Sequence, residues 1–210
     1  MMLRKNMLRR LLQLYIGLVL YGVSTALFVH ANLGADPWDV FHLGMAKQLG
    51  ISFGTVIILT GAAVLLLWIP IRQMPGLGTV SNVIVLGLAA DATLAVLPPL
   101  ESMVARSALL AGAIVLNAIA TGMYIGAGFG PGPRDGLMTG LHARTGWSLR
   151  GIRTAIELSV LLIGWLLGGK FGVGTVIYAL SIGPLIQLCL PWFSQPVSRN
   201  AVSPPREIVS

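Results

Sequence analysis

Charge is scarce in this chain. Asp, Glu, Lys and Arg make up 10% of its 210 residues, whereas a soluble domain carries roughly a quarter. That shortage, with 55% hydrophobic residues, excludes an ordinary water-soluble domain and points to an integral membrane protein in a lipid bilayer. Cysteine is nearly absent too: the single Cys189 sits in an apolar run, so no internal disulfide and no cysteine-based metal site is expected. His30, His42 and His142 share no ligand spacing, and neither a metal nor another cofactor is expected. A Walker loop, a dinucleotide fingerprint and a catalytic triad are all missing, so the chain reads as a non-enzyme. Fourteen basic residues against seven acidic ones give a net charge of +7. Nucleic-acid binding would need those charges clustered on one surface. They stand instead in short segments between apolar runs, where the positive-inside rule uses them. No nucleic-acid partner is expected.

What the chain does have is long apolar runs. A bilayer core of about 30 Å needs about 20 apolar residues per helix. Six stretches approach that length: Leu11–Val29, Ser52–Ile71, Thr79–Leu97, Val104–Ile125, Gly151–Leu167 and Thr175–Phe193. The first follows Arg4, Lys5, Arg9 and Arg10 and invites comparison with a signal peptide, but its 19 residues exceed the usual h-region of about 7–15. It reads as a retained helix. Pro70, Pro98-Pro99, Gly168-Gly169 and Pro191 are expected to close spans, and Gly183-Pro184 to kink the last one.

A hexad, Gly-x-x-Pro-x-Asp, occurs twice, as Gly34–Asp39 and as Gly130–Asp135, 96 residues apart. The same ungapped offset aligns Thr25 with Thr121, Gly50 with Gly146 and Ser52 with Ser148. It also carries Gly76, Gly78 and Thr79 onto Gly172, Gly174 and Thr175. The chain therefore reads as one three-helix unit written twice. Three spans per unit, an odd number, would insert the second unit upside down. The charges agree, since a cytoplasmic N-terminus places eleven of the fourteen basic residues inside. The expected fold class is all-α integral membrane, with six transmembrane helices as two inverted repeats. Its divisions are a cytoplasmic basic N-terminus (1–10), repeat 1 (11–98), repeat 2 (99–194) and a disordered cytoplasmic tail (195–210).

After the first span of each repeat, Pro37–Leu49 and Pro133–Thr145 are too short and too mixed to cross. Each reads as a short helix, either interfacial or re-entrant. Proline takes the first helical position, Asp36 or Gly132 the N-cap, and Asp39 or Asp135 the first turn. If re-entrant, their N-terminal ends converge on a binding site, with Gly34, Gly130, Trp38, Asp39, Arg134 and Asp135 as candidate substrate-binding residues. The bland alternatives are plain capping for the aspartates, turns for the glycines, a positive-inside charge for Arg134 and an interfacial anchor for Trp38. Asp91 and Glu157 lie within spans and are candidate coupling acids. Glu157 also has Arg153 four residues earlier as a ready ion-pair partner. Asn82, Asn117, Tyr21 and Tyr178 form either a polar seam or polar glue between helices. Gly122 and Gly126 suit close helix packing, within one subunit or between two.

The phrases Asn32–Val40, Gly50–Gly54 and Met74–Thr79, with Gly130–Gly136, resemble the YczE/YitT-like family of bacterial polytopic membrane proteins over roughly residues 10–195. The resemblance implies a multi-pass protein of the bacterial plasma (inner) membrane and carries over no catalytic residues. With both termini cytoplasmic, the expected function is a small secondary transporter or facilitator of a small solute, an anion being one candidate class. Two alternatives stand beside it. One is a non-transporting accessory or scaffold, as a homodimer or with a membrane partner protein. The other is the substrate-binding subunit of a vitamin importer.

Overall fold

The structure, a computed structural model, describes residues 2–194, with side chains from residue 7 onward. The described residues form eight α-helices: α1 (Met2–Ala31), α2 (Pro37–Leu49), α3 (Phe53–Ile71), α4 (Leu77–Val96), α5 (Met103–Gly126), α6 (Pro133–Thr145), α7 (Leu149–Leu166) and α8 (Val173–Phe193). The tail expected to be disordered lies outside the described residues.

Five helices, α1, α3, α4, α5 and α8, are long and apolar enough to cross a membrane. The expected sixth span, α7, is not among them, because its 18 residues include Arg150, Arg153 and Glu157. Helix α3 ends at Ile71, one residue past Pro70, and α8 ends at Phe193, two past Pro191, with Pro184 inside it.

Local chemistry accounts for the helix boundaries. Asp36 N-caps α2, its carboxylate accepting the Asp39 N–H at 2.7 Å, and Pro37 opens the helix. Helix α2 ends at Gly50 and α6 at Gly146, both in the left-handed conformation that glycine tolerates (φ 66° and 70°). Ser52, Ser102 and Ser148 cap α3, α5 and α7 with their hydroxyls.

Helices α1 and α5 run antiparallel at the centre. Arg10 Nε, near the start of α1, donates to Ala127 O past the end of α5, and Arg106 Nε, near the start of α5, donates to Ala31 O at the end of α1, both at 2.9 Å. These two bonds are one bond repeated 96 positions on. The same holds for Gly174 N–H to Leu33 O and Gly78 N–H to Phe129 O, both 2.8 Å. Gly34 and Gly130 share an extended positive φ (111° and 112°). A side chain on Gly34 would strike Thr175 and Gly172, and one on Gly130 would strike Thr79 and Gly76. At both hexads the backbone is therefore wedged against the start of a helix from the other half.

The halves also differ. Trp68 of α3 packs over Gly136 of α6, whereas Gly164 of α7, at the position matching Trp68, meets the backbone of Val40 and Phe41. Helix α3 packs on α4 through Gly54 against Gly87 and Gly61 against Val83. Between α7 and α8 there is instead a largely apolar groove of about 250 Å³, with Glu157 where α3 has Gly61. Gly122 and Gly126 both face Cys189 or Phe193 of α8, so this small-residue pair serves packing within the chain.

Candidate functional site

A cavity of about 110 Å³ lies at the centre of the bundle, and all eight helices contribute to its wall. Thr60 and Gly61, at the middle of α3, line it, which sets it level with mid-helix rather than at an end. The N-terminal turns of α2 and α6 both reach it, through Pro37 and Trp38 on one side and Gly132 to Asp135 on the other.

Arg134 joins the two short helices. Its Nη1 lies 3.3 Å from Asp36 Oδ2 and its Nη2 lies 3.9 Å from Asp39 Oδ1. The guanidinium also covers the Trp38 ring, 4.9 Å from the ring centre. Beneath this cluster, His42 Nδ1 is 3.3 Å from Asp39 Oδ1, with both side chains 2% exposed. Burial pushes the Asp39 carboxyl up to about 7, with the Arg134 charge working against it. Asp36 is raised as well, by burial and then by Asp39, with Arg134 and the Asp39 N–H opposing. Burial lowers His42 to about 3, helped by Arg134, and so keeps it neutral at pH 7.

The opposite wall is built on α6. Gly132 occupies its N-cap position and supplies no side-chain cap, so the place filled by Asp36 in α2 is open here. The nearest atoms to a Cβ at Gly132 would be Tyr124 Oη, Asp135 Oδ2 and Asn82 Nδ2, at 3.4–3.9 Å. Tyr124 Oη donates to Asp135 Oδ2 at 3.2 Å, and Trp68 Nε1 fixes the turn by donating to Pro133 O at 3.0 Å. Tyr21 and Asn82 complete this polar face, and the Tyr21 ring meets Tyr124 edge to face at 5.9 Å. Arg153 and Glu157 of α7 also line the cavity, bonded to each other at 2.9 Å. Glu157 borders both the cavity and the α7–α8 groove, as does Pro37.

Of the expected site residues, Trp38, Arg134, Asp135 and Glu157 line the cavity, and Asp39 stands behind it against Arg134. Gly34 and Gly130 lie outside its wall, at the contacts that seat α8 and α4. Asp91 also stands apart, accepting from Ser52 Oγ and from the Gly54 N–H (2.6 Å) at the start of α3. The polar seam is divided. Tyr21, Asn82 and Tyr178 reach the cavity, while Asn117 is buried between Tyr178 (3.3 Å) and Ser24 (2.9 Å). Sequence reasoning missed Tyr124 and His42 as wall residues. It read Asp36 only as a cap, although its partner Arg134 stands 98 residues away.

The model of a family of unknown function, DUF6198, matches residues 8–191. The chain belongs to that family. Its similarity extends to an uncharacterized protein of Haemophilus influenzae, 38% identical over 177 residues, covering 84% of this chain and 81% of the relative. The uncharacterized membrane protein YczE of Bacillus subtilis is 30% identical over 179 residues, covering 84% of this chain and 83% of that one. YyaS of the same organism, also uncharacterized, is 23% identical over 180 residues, covering 84% and 90%. No solved structure matches the chain. Family membership and the apolar helices agree on a membrane protein, and the cavity wall combines paired charges, tyrosine hydroxyls and an amide.

Proposed function

We propose that this DUF6198 protein is a small secondary transporter or facilitator whose solute occupies the central cavity. The observation that carries the reading is the contact of Arg134 with Asp36, which brings the N-terminal ends of α2 and α6 together at mid-helix depth. In this reading α7 is a sixth crossing, and residues 11–98 and 99–194 are inverted repeats. Helices α2 and α6 re-enter from opposite faces, and both termini lie in the cytoplasm of a bacterial inner membrane.

Several features support it. The antiparallel bonds of Arg10 and Arg106 relate the first spans of the two halves by a half-turn. Irregular backbone at membrane depth is tolerated where it is buried or lines a cavity, as the segments before α2 and α6 do. The charges that lower the hydropathy of α7 include Arg153 and Glu157, which pair beside the cavity. Solute sites at the junction of opposed broken helices are a recurring transporter design.

The test is flux of a panel of small solutes into proteoliposomes, together with accessibility of a cysteine placed at Gly132 in a Cys189→Ala background. Flux of one solute that is lost in Asp135→Ala, with water-accessible labelling at position 132, is expected. No flux under any gradient, with stable co-purification of another membrane protein, would establish the accessory reading instead.

A further inference from the structure

Given that the cavity is a solute site, as proposed above, its wall selects the class of solute. Four carboxylates, Asp36, Asp39, Asp135 and Glu157, stand in or against the wall, facing two arginines. Both arginines are engaged: Arg134 by Asp36 and Asp39, Arg153 by Glu157. No Lys, Arg or His nitrogen lies within 4 Å of the Asp135 carboxylate among the described residues, and its one hydrogen bond comes from Tyr124. Asp39 is 1% exposed, yet its Oδ2 has no hydrogen-bond partner among the described residues. The charge left over is negative and centres on Asp135, partly buried in the cavity wall. Such a site is stabilised by a cation or a proton and destabilised by a further anion. Arg134, the residue an anion would use, is therefore already committed.

The groups around Asp135 point the same way. Tyr21 and Asn82 line the cavity beside it, and neither side chain has a hydrogen-bond partner among the described residues. The Tyr21 hydroxyl oxygen and the Asn82 amide oxygen can each accept a hydrogen bond. A volume of about 110 Å³ suits an occupant of a few heavy atoms.

We propose that the cavity binds a small protonated amine, its ammonium donating to Asp135 and to the side-chain oxygens of Tyr21 and Asn82. A cation that carries N–H groups suits unpartnered acceptors better than a quaternary ion of similar size.

Purified full-length protein in detergent, titrated at constant ionic strength and read by tryptophan fluorescence and thermal shift, tests this. Ethylammonium is the probe, tetramethylammonium the donorless cation and acetate the anion. A saturable response to ethylammonium is expected, weaker for tetramethylammonium and absent for acetate. Asp135→Asn should weaken ethylammonium binding about tenfold or more, the scale of one charge-assisted contact, and Asp135→Glu should restore most of it. If Asp135→Asn does not fold, Asn82→Ala, which removes an acceptor without touching a charge, should weaken binding severalfold. A saturable acetate response, no ethylammonium response from folded protein, or affinity unchanged in the folded variant overturns the proposal. Binding without flux would remove the transport reading and leave the cation site. Flux of anions without ammonium binding would do the reverse.

Discussion

Replacing Arg134 by Gln strikes at the contact on which the site is built. Its guanidinium neutralises Asp36 and Asp39 at 3.3 and 3.9 Å, and those carboxylate side chains are only 8% and 2% exposed. Gln retains part of the stem but strands both acids. Removing one partner of a buried ion pair costs about 3–5 kcal/mol. Protonation limits the loss, because burial already holds Asp39 up to about 7, so the lower end, about 3 kcal/mol, is the better figure. At about 2–4 °C per kcal/mol for a chain of this length, the unfolding midpoint should fall by roughly 6–12 °C. Thermal unfolding in detergent at pH 7.5, followed by tryptophan fluorescence, measures it. In an Asp36→Asn/Asp39→Asn background there is no charge to strand, and the same replacement should lower the midpoint by less than about half as much. Equal shifts in the two backgrounds would mean the residues are uncoupled, and the account of the cluster would be wrong.

Three other outcomes follow from the geometry. Gly34→Ala and Gly130→Ala should each lower the midpoint by several degrees, since φ near 111° and contacts of 2.7–2.8 Å to a threonine oxygen leave no place for a methyl group. Gly112→Ala and Gly183→Ala, in open space, should not lower it. Folded Asp39 keeps its proton up to about pH 7, whereas the unfolded group releases it near 3.8, so its contribution to stability falls as pH rises through that window and then levels off. A midpoint-versus-pH series should therefore be flatter in Asp39→Asn over the same range. Asp91→Asn should reduce thermal stability by weakening the start of α3 while leaving solute binding and flux unchanged; lost flux in folded protein would restore Asp91 as a coupling acid.

The helices were largely legible because their signals are local. Apolar length gave the five helices long enough to cross, and the proline and N-cap residues gave the starts of α2 and α6 at Pro37 and Pro133. The site was legible only in part, because its pairings are long-range. Arg134 finds Asp36 across 98 residues, and Asp91, with no basic residue within a turn, finds Ser52 and Gly54 on another helix. Tyr124 looks like any apolar-helix tyrosine until α6 brings Asp135 to its hydroxyl. Helix α7 was read as a sixth span from its apolar stretch, but its charges, among them the bonded pair Arg153 and Glu157 beside the cavity, leave it out of the helices apolar enough to cross.

The matched bonds from Gly78 to Phe129 and from Gly174 to Leu33 use only main-chain atoms, and the acceptors of Arg10 and Arg106 are main-chain carbonyls too. A half-length ancestor carrying one glycine loop and one such arginine could close all four bonds with a second copy of itself. That pairing forces the two walls of its cavity to be identical. Only two distinct copies, no longer one sequence paired with itself, let Trp38 stand where its counterpart is Arg134, and Asp36 where its counterpart is Gly132. On that history the ion pair across the cavity is younger than the fold that holds it, and separately expressed halves of the present chain should still find each other.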